Sequence, residues 1–372
     1  MKSVHTTLHA FTLTSVFALS GCFDGDGSSG NGASTGQLTP TGIKGVDYQT
    51  NSQSGTTDTE GRFRYYPGES LTLSVGDLVL FSEVPAQDFV TPLEFVPEVR
   101  DQLDQASLTE EGLLSHKPTE DRLMENDAVM NATRFLLSLT WQGSTNDGSE
   151  VEIRERVVDQ LNAALPTLTA PVDFSVSQTR FSEEGDALSP ANQLLENICF
   201  YPADDELCEK PPTLEEIANA PEAPDDPQDR EPGVEYRQDL ENKRERILNA
   251  VRTINEVTRD DARQYLRREL DIISNNRANH YYLDSSTARH PASDDGIKSI
   301  QVRKVGGQPS LAQIEAKSTN PMNVVIHSFS RETAEVEYFI DGEAGREGEV
   351  LVNFRPAGDY RWVKKQIRVI IE

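Results

Sequence analysis

The sequence predicts an α+β protein, with a small N-terminal β module, a helical middle region and a C-terminal antiparallel β-sandwich. Three observations predict it. Through residues 37–83 apolar side chains alternate with polar ones, the mark of strands with one buried face. Between 84 and 290 the apolar positions instead recur at helical spacing. From 291 to 372 short alternating runs return between Gly, Asn and Pro breaks, as in compact sandwiches and barrels. The chain has 372 residues, a length that accommodates two or three domains.

Residues 1–21 read as an export signal. Lys2 precedes a weakly apolar run from Ala10 through Leu19, the positive-then-hydrophobic order of such signals. That run is about half the roughly 20 apolar residues a membrane-spanning helix needs. It ends in Leu19-Ser20-Gly21-Cys22, which resembles the lipobox of bacterial lipoproteins. The resemblance implies that Cys22 takes a diacylglyceryl group and becomes the first residue of the mature protein. It implies a membrane partner through that lipid. Since Phe23 follows and the aspartate comes one place later, at Asp24, it also implies the outer membrane. Two or three acyl chains make release negligible, because stable anchoring takes two lipid signals. An unmodified cysteine in an ordinary secretory signal is the alternative.

Residues 22–36 are rich in Gly, Ser and Asp and read as a flexible tether with a reach of roughly 20 Å. The tether contains a literal GxGxxG, Gly25 to Gly30. With no strand before it and no helix after it, it carries no phosphate-binding meaning.

In the β module, 37–83, Val46 and Tyr48 alternate, as do Phe63 and Tyr65, then Leu71, Leu73 and Val75, then Leu78 and Leu80. The breaks at 51–55, 58–61, Pro67-Gly68 and Gly76-Asp77 are turn chemistry. The run Thr57-Asp58-Thr59-Glu60-Gly61-Arg62-Phe63 resembles the T-D-x-x-G-x-F core of carboxypeptidase-regulatory-like, transthyretin-like modules. There the Asp and Gly make a hairpin and the aromatic fills the core. Such modules are scaffolds and binding platforms without catalytic residues of their own.

Val129, Ala132, Thr133, Leu136 and Leu137 predict a helix over 126–139, and Val157, Val158 and Leu161 a second over 153–165. Val90-Thr91-Pro92-Leu93, Asn131–Leu137 and the turn Thr140–Ser149 together resemble a group of uncharacterised proteobacterial lipoproteins that carry an acidic, calcium-loop-like turn. Here Thr140 and Gln142 replace the aspartates. The EF-hand register set by Gly148 puts Gly143 and Arg154 where acidic ligands belong, so a plain corner between helices is expected. Residues 210–232 hold six prolines and many carboxylates and read as a mobile loop. Two more helices are expected, over 236–257 and 260–274. Their arginines, including Arg244, Arg252, Arg259, Arg263 and Arg267, are interleaved with acids, the pattern of a solvated, ion-paired face. Docking of an acidic partner is the sharper alternative.

The formal charge is −27, and nucleic acid is excluded as a partner because an acidic surface has no counterion-release gain to draw on. Only ten of the 35 basic residues are lysine, an acidic, lysine-poor balance that suits a salty medium. Apart from Cys22, the chain has only Cys199 and Cys208. In an oxidising compartment a pair so closely spaced is expected to form a disulfide, and such a loop contributes on the order of 2–3 kcal/mol.

No HExxH, G-x-S-x-G or P-loop occurs, so no catalytic residue, cofactor or metal is assigned. His280, Asp284 and His290, with Asp294 and Asp295, form the one constellation that could ligate zinc if the loop brought them together. The sequence therefore points to an envelope lipoprotein with a non-catalytic binding, adhesion or scaffolding role. Other envelope proteins or polysaccharide are the partners open to it. An accessory subunit of an envelope transport or assembly system is the runner-up, and a hydrolase without a recognisable motif the third.

Overall fold

The computed structural model describes residues 32–141 and 151–372. The signal, Cys22 and most of the tether lie outside the described residues, as does most of the turn tested for calcium. Eight strands open the described chain: β1 (Ser34–Leu38), β2 (Ile43–Lys44), β3 (Asp47–Gln49), β4 (Ser54–Thr56), β5 (Arg62–Tyr65), β6 (Ser70–Val75), β7 (Leu78–Pro85) and β8 (Phe89–Val90). Seven of them form two sheets, ordered β5-β1-β8 and β4-β3-β6-β7. Phe63 and Tyr48 meet between the sheets with ring centroids 5.9 Å apart, and Leu71, Leu73 and Val75 are wholly buried.

Ser34–Gly36, read from composition as the end of the tether, instead begin β1. A Cβ on Gly36 would sit 2.3 Å from the Phe63 ring, so the residue that looks like linker glycine lets that ring close the core. Gly61 is required for a different reason. It has φ +70°, and an added Cβ would lie 2.7 Å from the Ile43 nitrogen and 2.8 Å from the Leu38 oxygen. Asp58 makes the same turn by accepting from the Glu60 and Arg62 N–H groups.

Next come α1 (Pro92–Phe95), α2 (Pro97–Arg100), the short ladder β9 (Ser107–Leu108) and β10 (Leu114–Ser115), α3 (Lys117–Leu123) and α4 (Asp127–Ser138). Helix α4 is the centre of the molecule. Every residue from Val129 to Ser138 is buried, and Asn126 caps its first turn. β11 (Val151–Glu152) then pairs in parallel with β2 and leads into α5 (Glu155–Ala164), α6 (Gln178–Phe181) and α7 (Pro190–Glu196). Within the proline-rich stretch lies α8 (Leu214–Asn219), whose Thr213–Glu216 capping box satisfies its first turn.

The helix expected over 236–257 stops early. α9 covers Arg237–Asn249 and a separate 3₁₀ turn covers Ile254–Glu256. The break follows from Arg252, whose guanidinium turns inward to the carbonyls of Ser138, Thr140 and Trp141 and lies 3.9 Å over the Phe200 ring. α10 (Arg259–Asn279) is longer than expected, starting at a Thr258–Asp261 capping box.

Eight strands complete the chain: β12 (Tyr281–Leu283), β13 (Thr287–His290), β14 (Lys298–Lys304), β15 (Leu311–Ser318), β16 (Val324–Ser330), β17 (Glu335–Ile340), β18 (Glu347–Pro356) and β19 (Val363–Ile371). They form two four-stranded sheets, β12-β14-β17-β16 and β13-β19-β18-β15. Val302, Val336 and Tyr338 from one sheet share a buried cluster with Val352, Phe354 and Val369 from the other. The sheets are antiparallel except where β13 joins β19 in parallel.

The helical region and N-terminal strands share a second, larger core, to which Tyr360 also belongs. Gly32–Glu372 forms one compact unit. One tie is the β1–β2 turn: buried Thr39, held at φ +55°, hydrogen-bonds the Tyr265 hydroxyl at 2.9 Å, and the Thr41 N–H donates to buried Glu269 at 2.8 Å. Another is the link between β18 and β19, residues 357–362, which dips into the helical core. No helix among the described residues is long and apolar enough to cross a membrane.

Candidate functional site

Three parts of the chain converge around that link. The first is the start of α1. Thr91 donates from its backbone N–H and its hydroxyl to one oxygen of Glu94, at 2.8 and 2.6 Å, and so fixes which way the other oxygen faces. The second is the α3–α10 pair, which supplies His116, Glu120, Ser274 and Arg277. The third is the link itself, Asp359-Tyr360-Arg361-Trp362, turned by Gly358 at φ +77°.

Arg361 sits at the centre, 5% exposed. Its guanidinium lies 4.2 Å over the Tyr360 ring and 3.6–3.7 Å from carboxylate oxygens of Glu94, Glu120 and Asp359. These are ion pairs at a distance, longer than hydrogen bonds. Nε and Nη2 of Arg361 and Oε1 of Glu94 have no hydrogen-bond partner although all are buried. Burial works against the Arg361 charge, but Tyr360, Glu94, Asp359 and Glu120 around it raise its pKa overall. Arg277 pairs with Asp359 at 2.7 Å.

His116 and Glu120 sit behind this layer. The Trp362 backbone N–H donates to His116 Nδ1 at 2.9 Å, so that nitrogen carries no proton. The ring is therefore the Nε2–H tautomer, donating to the Ser274 hydroxyl at 3.0 Å. Burial pushes its pKa down to about 3, and the nearby Arg361 and Lys117 charges add to that. Glu120 accepts from the Tyr360 hydroxyl at 2.8 Å. Its burial outweighs Arg361 and Tyr360 and raises its carboxyl to about 7. The imidazole is thus neutral with both nitrogens engaged, and the carboxyl titrates near neutrality.

In front lies an open cavity of about 630 Å³, whose walls include Tyr65 and Phe89 from the β module and Arg277, Arg355 and Arg361 from the other side. The volume is in the range of small-molecule sites, roughly 300–1,000 Å³. A second cavity, about 800 Å³, is apolar and lined by Phe81, Phe174 and Phe181.

Of the residues that build this site only Thr91 stood out in the sequence, within the Val90–Leu93 run; Glu94, Glu120, Ser274, Arg277 and Arg361 did not. Two signals were available: the T-x-x-E capping pattern of Thr91–Glu94, and the dense charged and aromatic turn after Gly358. The candidate site residues named from the sequence lie elsewhere. Cys199 and Cys208 form a disulfide. Of the zinc constellation only His290 and Asp294 come together, at 3.9 Å; His280 contacts the Asn276 carbonyl, His290 also the Tyr338 hydroxyl, and Asp284 the Gln301 N–H. Among the described residues no group of three His, Cys, Asp or Glu side chains is placed to hold a metal ion.

The helical arginines are engaged within the chain. Arg244 donates to the Pro212 carbonyl and Arg252 to the carbonyls before and in the Thr140 turn. Arg259 and Arg263 share Glu125, and Arg267 pairs with Asp121.

No family model matches the chain, and no curated protein matches it. Among solved structures, domains 4 and 5 of the S-layer protein SbsC are similar at 11% identity and a TM-score of 0.19. That likeness covers 24% of this chain and 50% of that one, and a resemblance so slight is no guide to fold or function.

Proposed function

We propose that this chain is a lipid-anchored cell-envelope protein, held at the outer membrane through Cys22, with a non-catalytic binding role. The observation that supports binding is the charged cavity where the β module, the helices and the C-terminal sandwich converge. Its nearest imidazole, His116, is locked on both nitrogens by Trp362 and Ser274, and it lies behind the wall rather than on it. Such a ring is unsuited to proton transfer with a bound molecule. The alternative of a transport or assembly subunit would use the arginines of α9, α10 and the turn between them as a docking face; Arg244 and Arg252 bond to carbonyls of the chain, and Arg259, Arg263 and Arg267 sit in ion pairs with Glu125 and Asp121, so the cavity supports binding more directly.

Metabolic labelling with an alkynyl fatty acid tests the anchor. The wild type should label and fractionate with outer membranes, and Cys22→Ser should lose both properties. Equal labelling of the two would sink the lipoprotein reading.

A further inference from the structure

The chain carries a formal charge of −27, yet the cavity in front of Arg361 is lined by equal numbers of cationic and anionic side chains. Four arginines line it, Arg100, Arg277, Arg355 and Arg361. Four carboxylates line it too, Asp88, Glu94, Asp104 and Asp359. The cavity thus offers no net field to gather either a lone anion or a lone cation, in a molecule whose overall field favours cations.

The charged groups are also held in place. Arg277 is tied to Asp359 at 2.7 Å, Arg355 to Asp104 at 3.2 Å, and Arg100 to the Glu94 carbonyl at 2.9 Å. An incoming ion would have to break a pair to make one. Arg361 Nη2 and Glu94 Oε1, 3.7 Å apart, are sealed behind the wall, so what the cavity presents is the paired groups themselves, cationic donors beside anionic acceptors. The Arg277 side chain is 35% exposed, and those of Arg355 and Asp104 21% and 76%. A lone carboxylate or ammonium meets both charges of such a pair, whereas a hydroxyl both donates and accepts and can bond to the two together. The rings of Tyr65, Phe89 and Tyr360 add apolar surface to the same walls, which suits a ligand with a carbon skeleton between its hydroxyls.

We infer that this cavity binds a neutral polyhydroxylated ligand of the sugar class. The inference rests on the binding role proposed above but not on the lipid anchor, so the labelling experiment and the following one fail independently.

The test is saturation-transfer NMR on the mature protein in detergent micelles. The neutral probes are maltose, cellobiose and N,N′-diacetylchitobiose; the charged probes are citrate, spermidine and glycine betaine. At least one neutral sugar should receive saturation and no charged probe should displace it. Arg277→Gln and Arg355→Gln should each weaken its affinity at least tenfold, while Arg246→Gln, on α9 and paired with Glu206, should leave it unchanged. Two substitutions are used so that a misfolded variant, recognised by its circular dichroism, does not remove the comparison. Saturation of charged probes alone, of no probe, or of sugars equally in wild type and both cavity variants would overturn the inference.

Discussion

Glu120→Gln should change the pH dependence of stability in a way that isolates one buried carboxyl. In the folded protein Glu120 holds its proton up to about 7, against 4.5 for an unburied glutamate. Between those values the folded state binds more protons than the unfolded one, so stability falls as pH rises through the window. At about 1.4 kcal/mol per pH unit, this term amounts to roughly 3 kcal/mol. His116 works in the opposite direction. Its folded value is about 3 against an ordinary 6.5, so stability is lost as pH falls through that interval. The two terms oppose each other between about pH 4.5 and 6.5 and flatten the wild-type profile. A glutamine at 120 keeps an acceptor for the Tyr360 hydroxyl but has no proton to lose. Urea unfolding of both proteins from pH 4 to pH 8 supplies the difference curve, from which all shared groups cancel. The variant should gain about 3 kcal/mol relative to wild type across that range, nearly all of it between pH 4.5 and 7. A flat difference curve would mean that Glu120 titrates as if solvated, and the description of a buried layer behind Arg361 would be wrong.

Two further substitutions test the scaffold. Gly61→Ala forces an alanine to φ +70° with its Cβ against the Ile43 nitrogen and the Leu38 oxygen, and should lower the unfolding free energy by at least about 2 kcal/mol in urea. Replacing Cys199 and Cys208 by serine opens the short loop they close and should lower it by about 2–3 kcal/mol, with unfolding of the wild type under reducing conditions giving the same loss.

The α+β class was legible because each region keeps one period for long enough to be read. The T-D-x-x-G-x-F run shows where its signal lay: Asp58, Gly61 and Phe63 act within seven residues, so the turn they make is local. β15 was not legible. Its sequence, LAQIEAKS, is rich in residues that favour helices, and it becomes an edge strand because β18 offers it a partner. The end of the helix at Asn249 was missed because its cause, Arg252 reaching Ser138, lies 114 residues away. The candidate site was illegible for the same reason. Glu94, Glu120, Arg277 and Arg361 are ordinary surface-type residues in sequence, and nothing local says that four separate segments bring them together, with all but Arg277 buried.

The docking of the β1–β2 turn onto α10 has a consequence for how the chain can fold as it emerges. Thr39 waits for Tyr265, 226 residues later, and Thr41 for Glu269, 228 residues later. Closing so long a loop carries an entropy cost before any contact repays it, and folds dominated by distant pairings are slow to form. A chain threaded from its N-terminus would therefore hold its first strands without their final support until α10 has followed. The strained Thr39 backbone is tolerable only once that helix is present, so the N-terminal module should lock only after α10 has emerged, although it is made first.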